Sequence, residues 1–237
     1  MNIAILGYGK MGKNIEEIAI NRSHKIVLTI DNNEEWIRKA NEIKKADVAI
    51  DFSTPTVVID NIKKCFDNNL PIVVGTTAWQ NKIEEIKNLC IQHNKSLVWA
   101  SNFSIGVNIF FKINTVLAKL MNQYNDYNPS MEEIHHTAKL DTPSGTAISL
   151  ANDIIKEIDR IKHWTLNSSD KKDEIIISSR RIDPVPGIHK IIYDSEIDTI
   201  EIKHSAKNRK GFALGAVIAA EWIKDKTGFY EFKDIFF

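Results

Sequence analysis

Six residues near the start of the chain constrain its fold more than any others. Gly7-Tyr8-Gly9-Lys10-Met11-Gly12 is a G-x-G-x-x-G sequence. It follows an apolar run, Asn2–Leu6, and opens a segment in which Met11, Ile15, Ile18 and Ala19 share one helical face. A strand that turns into a helix through these glycines has a physical purpose. The first glycine permits a tight turn, the second lets backbone come close to a pyrophosphate, and the third lets the helix pack on the strand. The helix then offers free N–H groups and the positive end of its dipole to phosphates. Asp31 ends the next apolar run, where a carboxylate can take the ribose hydroxyls of a dinucleotide.

The alternation continues through the first hundred residues. Strand-like runs at Ile26–Ile30, Asp47–Asp51, Leu70–Val74 and Leu97–Ala100 are separated by helical patterns, with Val58, Ile62, Cys65 and Phe66 on one face and Ile83, Ile86 and Cys90 on another. Strands that are apolar throughout and separated by helices imply a parallel sheet covered on both faces. The expected class is α/β, with an N-terminal Rossmann-type domain. Ligands of such sheets bind at the carboxyl ends of the strands. Here those ends read Asp51-Phe52-Ser53-Thr54, Gly75-Thr76-Thr77 and Ala100-Ser101-Asn102-Phe103, all small or polar groups able to contact a ligand. Ser53 or Thr54 before Pro55 can equally start a helix.

Composition removes other classes. Lys+Arg and Asp+Glu both number 31, so global charge supports neither nucleic acid nor an anionic membrane as partner. The longest apolar run, Gly211–Ala220, is far short of a bilayer span. No charged n-region precedes the first apolar stretch, so a cytoplasmic protein without a secretory signal is expected. Cys65 and Cys90 both fall in helical patterns and read as buried, reduced thiols.

The pattern changes after Gly106. A longer helix is expected with Ile109, Ile113, Val116, Leu117 and Leu120 as its inward stripe, and Pro129 is expected to break the chain. Then come a strand at Met131–His136, a polar loop, and a helix with Ala147, Leu150, Ala151, Ile154 and Ile158 on one face. Strand patterns follow at Glu174–Ser178, His189–Tyr193 and Ile197–His204. Strands without intervening helices suggest a second, α+β domain with a mainly antiparallel sheet. A last apolar helix, Phe212–Ile223, can return to the first domain. The expected division is 1–103 with 209–237 as dinucleotide-binding domain, and 104–208 for substrate binding and oligomerisation.

The segment from Glu132 to Thr146 carries the chemistry. Thr142 and Pro143 read as N-cap and first position of a helix. The amides near Gly145 and Thr146 would lie in its first turn, a natural seat for a carboxylate. Lys139 adds a positive charge, and His135 is the residue type that exchanges a proton near neutral pH. Together they suit an anionic substrate that takes up a proton. Adjacent His135 and His136 point to opposite faces of a strand. With no cysteine nearby and the other histidines scattered, no metal site is expected.

This segment resembles the signature of the 4-hydroxy-tetrahydrodipicolinate reductase family, of diaminopimelate and lysine biosynthesis. The matching residues are Glu133, His135, His136, Lys139, Asp141, Pro143, Ser144, Gly145, Thr146 and Ala147. The resemblance runs along essentially the whole chain, through the opening glycine motif, Asp51-Phe52, Gly75-Thr76-Thr77, Asn102-Phe103-Ser104 and a late motif from His204 to Ala216. It implies that His135 is the proton donor or acceptor, that Lys139 is a proton donor, and that His136, Gly145 and Thr146 bind the substrate carboxylates. It further implies that Gly7, Tyr8, Gly9, Lys10, Met11, Gly12, Asp31, Gly75, Thr76, Thr77, Ala100, Ser101, Asn102 and Phe103 line the site for NADH or NADPH. The family's reaction sends a hydride to ring C4 of a cyclic imine, with loss of its hydroxyl, in a cytoplasmic homotetramer assembled through the second sheet.

Two departures stand out. Asn32 and Asn33 follow Asp31 where an arginine often follows in members that favour the 2′-phosphate, so NADH is expected to serve at least as well as NADPH. Lys207 and Asn208 replace the usual serines of the late motif. An aspartate- or homoserine-type dehydrogenase on the same scaffold is the nearest alternative, and a non-catalytic nicotinamide sensor is another. Neither has a need for the segment from His135 to Thr146.

Overall fold

The computed structural model describes residues 1–236. Two compact units form, Met1–Ile105 with Lys210–Phe237, and Gly106–Arg209. In chain order the elements are β1 (Asn2–Leu6), α1 (Lys10–Asn21), β2 (Lys25–Ile30), α2 (Asn33–Lys39), β3 (Val48–Asp51), α3 (Val58–Asp67), β4 (Ile72–Val74), α4 (Ile83–Gln92) and β5 (Ser96–Trp99). Then come α5 (Ile105–Met121), β6 (Asn128–His135), α6 (Gly145–Glu157), β7 (His163–Leu166), β8 (Glu174–Arg181), β9 (Gly187–Asp194) and β10 (Thr199–Ala206). The chain closes with α7 (Lys210–Ile223) and β11 (Gly228–Glu231). Among the described residues no helix is long and apolar enough to cross a membrane.

The first unit holds an all-parallel sheet in the order β11-β5-β4-β3-β1-β2. Burial on both faces explains its continuous apolar strands. Ile3, Ile5, Val48, Ile50, Val73 and Val98 pack with Ile15 and Ala19 of α1 and with Ala213, Ala216 and Val217 of α7. Ala4, Leu6, Ala49, Ile72 and Leu97 pack on the other side with Val58, Ile62, Cys65, Ile86 and Cys90 of α3 and α4. The chain leaves β1 for β2 on one side and then crosses to β3 on the other. That reversal opens a crevice at the carboxyl ends of β1 and β3.

The glycine loop sits at that reversal. Gly7 has φ +87°, a conformation side chains rarely adopt. A Cβ on Gly12 would lie 2.5 Å from the Gly7 carbonyl oxygen, so helix and turn are in direct contact.

The second unit contains a mixed sheet in the order β10-β9-β6-β8-β7. β9 runs antiparallel to β6 and β10, whereas β8 runs parallel to β6 and β7. Met131, Ile175, Ile177, Ile191 and Tyr193 bury one face against Phe110, Ala118 and Met121 of α5 and Ala147, Leu150 and Ile154 of α6.

Three expectations need correction here. The buried face of α5 is Val107, Phe110, Asn114, Ala118 and Met121. The stripe read from the sequence is mostly outside, with Ile109, Ile113, Val116 and Leu120 exposed and only Leu117 packed on the core. The helix is apolar over most of its circumference, so periodicity alone did not choose its inner face. Pro129 does not break the chain but is the second residue of β6, opposite Tyr193. The ladder to β8 starts only at Ser130, so the missing N–H is tolerated at this strand end. Finally, α6 begins at Gly145 with Ser144 as its cap, because the Ser144 hydroxyl accepts the Ala147 amide at 3.2 Å. Thr142 and Pro143 lie before the helix.

The contact at Gly12 makes a contrast testable by thermal unfolding. Gly12→Ala is expected to cost about 1–3 kcal/mol, since it forces backbone apart. Gly9→Ala meets nothing within 4 Å, and should stay within about 0.5 kcal/mol of the unmodified protein. Equal melting temperatures for both variants would contradict the packing described.

Candidate active site

The crevice of the first unit is a cleft of about 650 Å³, lined among others by Gly7, Gly9, Asp31, Trp36, Ser53 and Asn61. Gly9 precedes α1 without a side-chain cap, and the first turn of that helix carries no acidic residue. The N–H groups there are unopposed by negative charge, as a pyrophosphate requires. The Asp31 carboxylate accepts the Tyr8 amide at 2.8 Å, and the Asp31 amide donates to Glu35 Oε2 at 3.0 Å. Asn32 caps α2 by accepting the Glu35 amide at 3.0 Å. The residues present therefore fit a dinucleotide, with two carboxylates, Asp31 and Glu35, at the ribose end.

The other expected cofactor contacts divide. Lys10, Ser101 and Thr77 are exposed, and Gly75 is half-buried. Tyr8 turns its hydroxyl to Glu16. Met11, Ala100 and Phe103 pack in the core behind the loops, Gly12 is buried, and Asn102 accepts the Ser104 amide at 2.8 Å. Asp51 and Thr76 stand apart from these. Both are buried and bonded to each other through the Thr76 hydroxyl at 2.6 Å, so neither side chain is free for a ligand.

The second constellation lies in the other unit. Alternation along β6 turns Met131, Glu133 and His135 to the buried face. Glu133 is 0% exposed. Its Oε1 accepts Arg181 Nη1 at 3.1 Å and the Ser144 amide at 3.3 Å, and its Oε2 lies 2.8 Å from His135 Nδ1. That last contact is an ion-pair distance off the direction a ring N–H would take. Arg181 Nη2 also donates to the Asp141 carbonyl at 2.6 Å and to Thr142 Oγ1 at 2.9 Å, tying β8 to the loop before α6.

Strand register adds a residue the sequence reading passed over. β9 sets His189 directly opposite Glu133. The His189 ring stands edge-on to His135, with centroids 5.0 Å apart, and its Nε2 is 3.1 Å from Ser144 Oγ. Ser144 is buried, its oxygen accepts the Ala147 amide, and the same hydroxyl shares a hydrogen bond with His189 Nε2. Gly187 lies against His135, where a Cβ would come within 3.1 Å of Nε2.

The histidines are therefore less scattered than expected. Glu133, His135 and His189 bring three ligand-type atoms within 4.8 Å of one another. A guanidinium 3.1 Å from the Glu133 carboxylate opposes a dication there.

The electrostatics of this cluster are lopsided. Burial pushes the Glu133 carboxyl up, but His135, Ser144, Ser179 and Arg181 together outweigh burial and hold it well below the usual carboxylate range. Burial, with the nearby His135, pushes His189 down to about 4. Glu133 is thus the ionised partner and His189 a neutral one.

Beyond the cluster, Lys139 Nζ contacts Asp141 Oδ1 at 2.6 Å, and Asp141 Oδ2 accepts the Gly145 amide at 3.3 Å. A carboxylate of the chain itself therefore bridges the lysine and the start of α6. A Cβ on Gly145 would meet nothing within 4 Å, so the space before this helix is open. His136 is half-buried at the end of β6. Lys139, Gly145 and Thr146 are thus grouped around one helix end, with His135 behind them on β6.

Residues 1–103 match the family described as dihydrodipicolinate reductase, N-terminus, and residues 106–236 match dihydrodipicolinate reductase, C-terminus. The chain belongs to the dihydrodipicolinate reductase family. A relative from Christiangramia forsetii, named 4-hydroxy-tetrahydrodipicolinate reductase, is 49% identical over 235 residues, covering 99% of this chain and 97% of its own. One of the same name from Thermosipho africanus is 37% identical over 238 residues, with 99% and 97% covered. The solved dipicolinate-bound dihydrodipicolinate reductase from Paenisporosarcina sp. TG-14 superposes with a TM-score of 0.80 at 23% identity, covering 99% of each chain. The likeness to that structure is one of fold, a parallel nucleotide-type sheet and a second mixed sheet.

A signal for His189 was present. Gly187, His189, Ile191 and Tyr193 alternate on the buried face of β9, and a histidine in that parity is a buried polar group in need of partners.

His189 makes stability depend on pH in a definite sense. Its folded value lies below the ordinary histidine value of about 6.5, so the unfolded chain binds more protons between about 6.5 and 4. This contribution is fully present above about pH 6.5 and is lost as pH falls toward 4, up to about 3 kcal/mol. In thermal melts from pH 7 to 4, His189→Gln should flatten the decline. An unchanged slope would show that another group carries it.

Proposed function

We propose that this chain reduces 4-hydroxy-tetrahydrodipicolinate to tetrahydrodipicolinate with a reduced nicotinamide dinucleotide, as its family does. The observation that carries the reading is the grouping of a carboxylate-backed histidine, a lysine and an open helix start at the end of β6. The nicotinamide, when bound, supplies the hydride. The balance of the reaction takes one proton in and releases the hydroxyl as water. His135 and Lys139 are the groups placed to hold and deliver that proton, with Glu133 fixing the His135 ring. Substrate carboxylates suit the Gly145 and Thr146 amides with His136 beside them, in the place that Asp141 now takes. A positioned acid of this kind contributes about 10²–10⁴-fold.

The ribose end favours NADH. Arg38, exposed and free in principle to meet a 2′-phosphate, is drawn to Glu35 at 3.6 Å, and Lys39 to the same carboxylate at 3.4 Å. A phosphate added beside Asp31 and Glu35 meets like charge worth about 1 kcal/mol or more, roughly fivefold in affinity.

The family's tetramer fits the second sheet. Its face away from α5 and α6 shows half-buried Ile134, Ile188 and Ile192 around Lys190, which reaches Glu201 at 3.1 Å and Glu132 at 3.8 Å. Light scattering on purified protein should give four chains per particle, and a monomer mass would sink this part of the reading.

The reaction itself is tested by loss of absorbance at 340 nm with substrate generated from pyruvate and aspartate semialdehyde. NADH should be consumed faster than NADPH, and Glu35→Gln should narrow the ratio. Lys139→Ala should lower turnover about 10²-fold or more while nucleotide binding, a property of the first unit, is retained. Turnover unaffected in that variant would remove Lys139 from the mechanism. No turnover by folded protein that binds nucleotide would remove the substrate assignment.

A further inference from the structure

A side chain of the first unit with four hydrogen bonds takes no part in the chemistry above. Asp51 ends β3, is 0% exposed, and has no cation beside it. Its Oδ1 accepts the Ser53 amide at 3.1 Å, the Ser53 hydroxyl at 2.8 Å and the Thr76 hydroxyl at 2.6 Å. Its Oδ2 accepts Asn61 Nδ2 at 2.7 Å. A buried carboxylate served only by neutral donors is costly to keep. An apolar residue would fill the end of a buried strand at lower cost, so retention of the acid calls for a purpose.

The direction of the bonds shows what the carboxylate organises. Trp36 Nε1 donates to Asn61 Oδ1 at 2.7 Å. An indole N–H can only donate, so the Asn61 amide has one permitted orientation, oxygen toward Trp36 and nitrogen toward Asp51. At the other end the Thr76 carbonyl accepts Trp79 Nε1 at 2.7 Å, which holds the backbone of the turn after β4. A one-way chain therefore runs from Trp36 through Asn61 to Asp51 and meets donors from the turns after β3 and β4. Trp36, Ser53 and Asn61 are also walls of the cleft.

We propose that Asp51 is a positioning residue for nicotinamide nucleotide binding, locking the cleft wall and the turns after β3 and β4 into one binding-ready arrangement. The inference rests on the reading that this cleft takes the dinucleotide. A wall fixed before the ligand arrives avoids the cost of ordering it on binding. Removing one donor from Asp51 leaves the wall to be ordered by the nucleotide, and affinity falls although no contact with the ligand is removed.

Thr76→Val keeps the shape of the side chain and deletes one donor, and Thr76→Ser restores it. Asp51→Asn is harsher, since its NH2 must face a fixed donor, either the Asn61 amide nitrogen held by Trp36 or the Ser53 backbone N–H. NADH dissociation constants from nucleotide fluorescence, with melting temperatures for each protein, decide the matter. Thr76→Val is expected to weaken NADH binding about tenfold, Thr76→Ser to return it to within about twofold, and Asp51→Asn to lose more than Thr76→Val. In the coupled assay KM for NADH should rise by a larger factor than kcat falls. A Thr76→Val protein that melts earlier but binds NADH as tightly as the unmodified chain would make Asp51 purely structural and overturn the inference, even if Asp51→Asn does not fold. Failure of the unmodified chain to bind NADH would instead bring down the nucleotide reading, and this inference with it.

Discussion

A carboxylate removed from water has to be surrounded by donors that the chain supplies, and both units are organised around one. Asp51 draws β3, the turn after β4, α3 and α2 toward a single point through Ser53, Thr76, Asn61 and Trp36. Glu133 does the same with β6, β8 and the cap of α6 through His135, Arg181 and Ser144. Each lies at or near the carboxyl end of its strand, where the loops that carry function begin. The cost of burying a charge is thereby turned into geometric definition, because the donors have few other arrangements that satisfy it.

The two acids differ in what surrounds them. Asp51 meets neutral donors alone, which suits a group that holds its neighbours still. Glu133 meets a guanidinium and an imidazole, so polar and charged groups are concentrated at the end of β6. The neighbouring His189 is kept neutral by burial, with its ring 5.0 Å from that of His135. Ser144 joins the helix start to the buried cluster, since it caps α6 and also touches His189 and Glu133.

Local pattern carried the first unit a long way. The glycines after β1, the apolar strands and Asp31 were legible because a parallel sheet buried on both faces writes its strands as continuous apolar runs. β11 and β7 are edge strands without a fully buried residue, so they lack the continuous apolar run that marked the equally short β3, β4 and β5. The inner face of α5 was misread because an apolar residue stands on nearly every side of it. In the chemical segment, His135, Lys139 and the amides of Gly145 and Thr146 were visible as residue types next to a helix start. Arg181 was not, since it lies 48 residues from Glu133 and arrives only through the pairing of β8 with β6, and the alternation of β9 marked His189 as buried without naming its partners. Side chains that serve one another across a sheet leave no mark in linear spacing, and the hydrogen bonds that consume Asp51 and Thr76 were hidden for the same reason.

Asp141 gives the helix end a competitor that can never diffuse away. Its carboxylate is attached two residues from Lys139 and four from Gly145, and both contacts are made in the same arrangement. An anion approaching this helix start would meet a tethered competitor whose effective concentration is on the order of millimolar or higher. The tether is weakly held, because an exposed ion pair is worth only about 0.2–1 kcal/mol. A molecule with one carboxylate gains little by the exchange, whereas one that anchors a second group elsewhere carries the displacement easily. A loose internal counter-ion of this kind holds a lysine and the start of a helix to one partner without fixing either firmly.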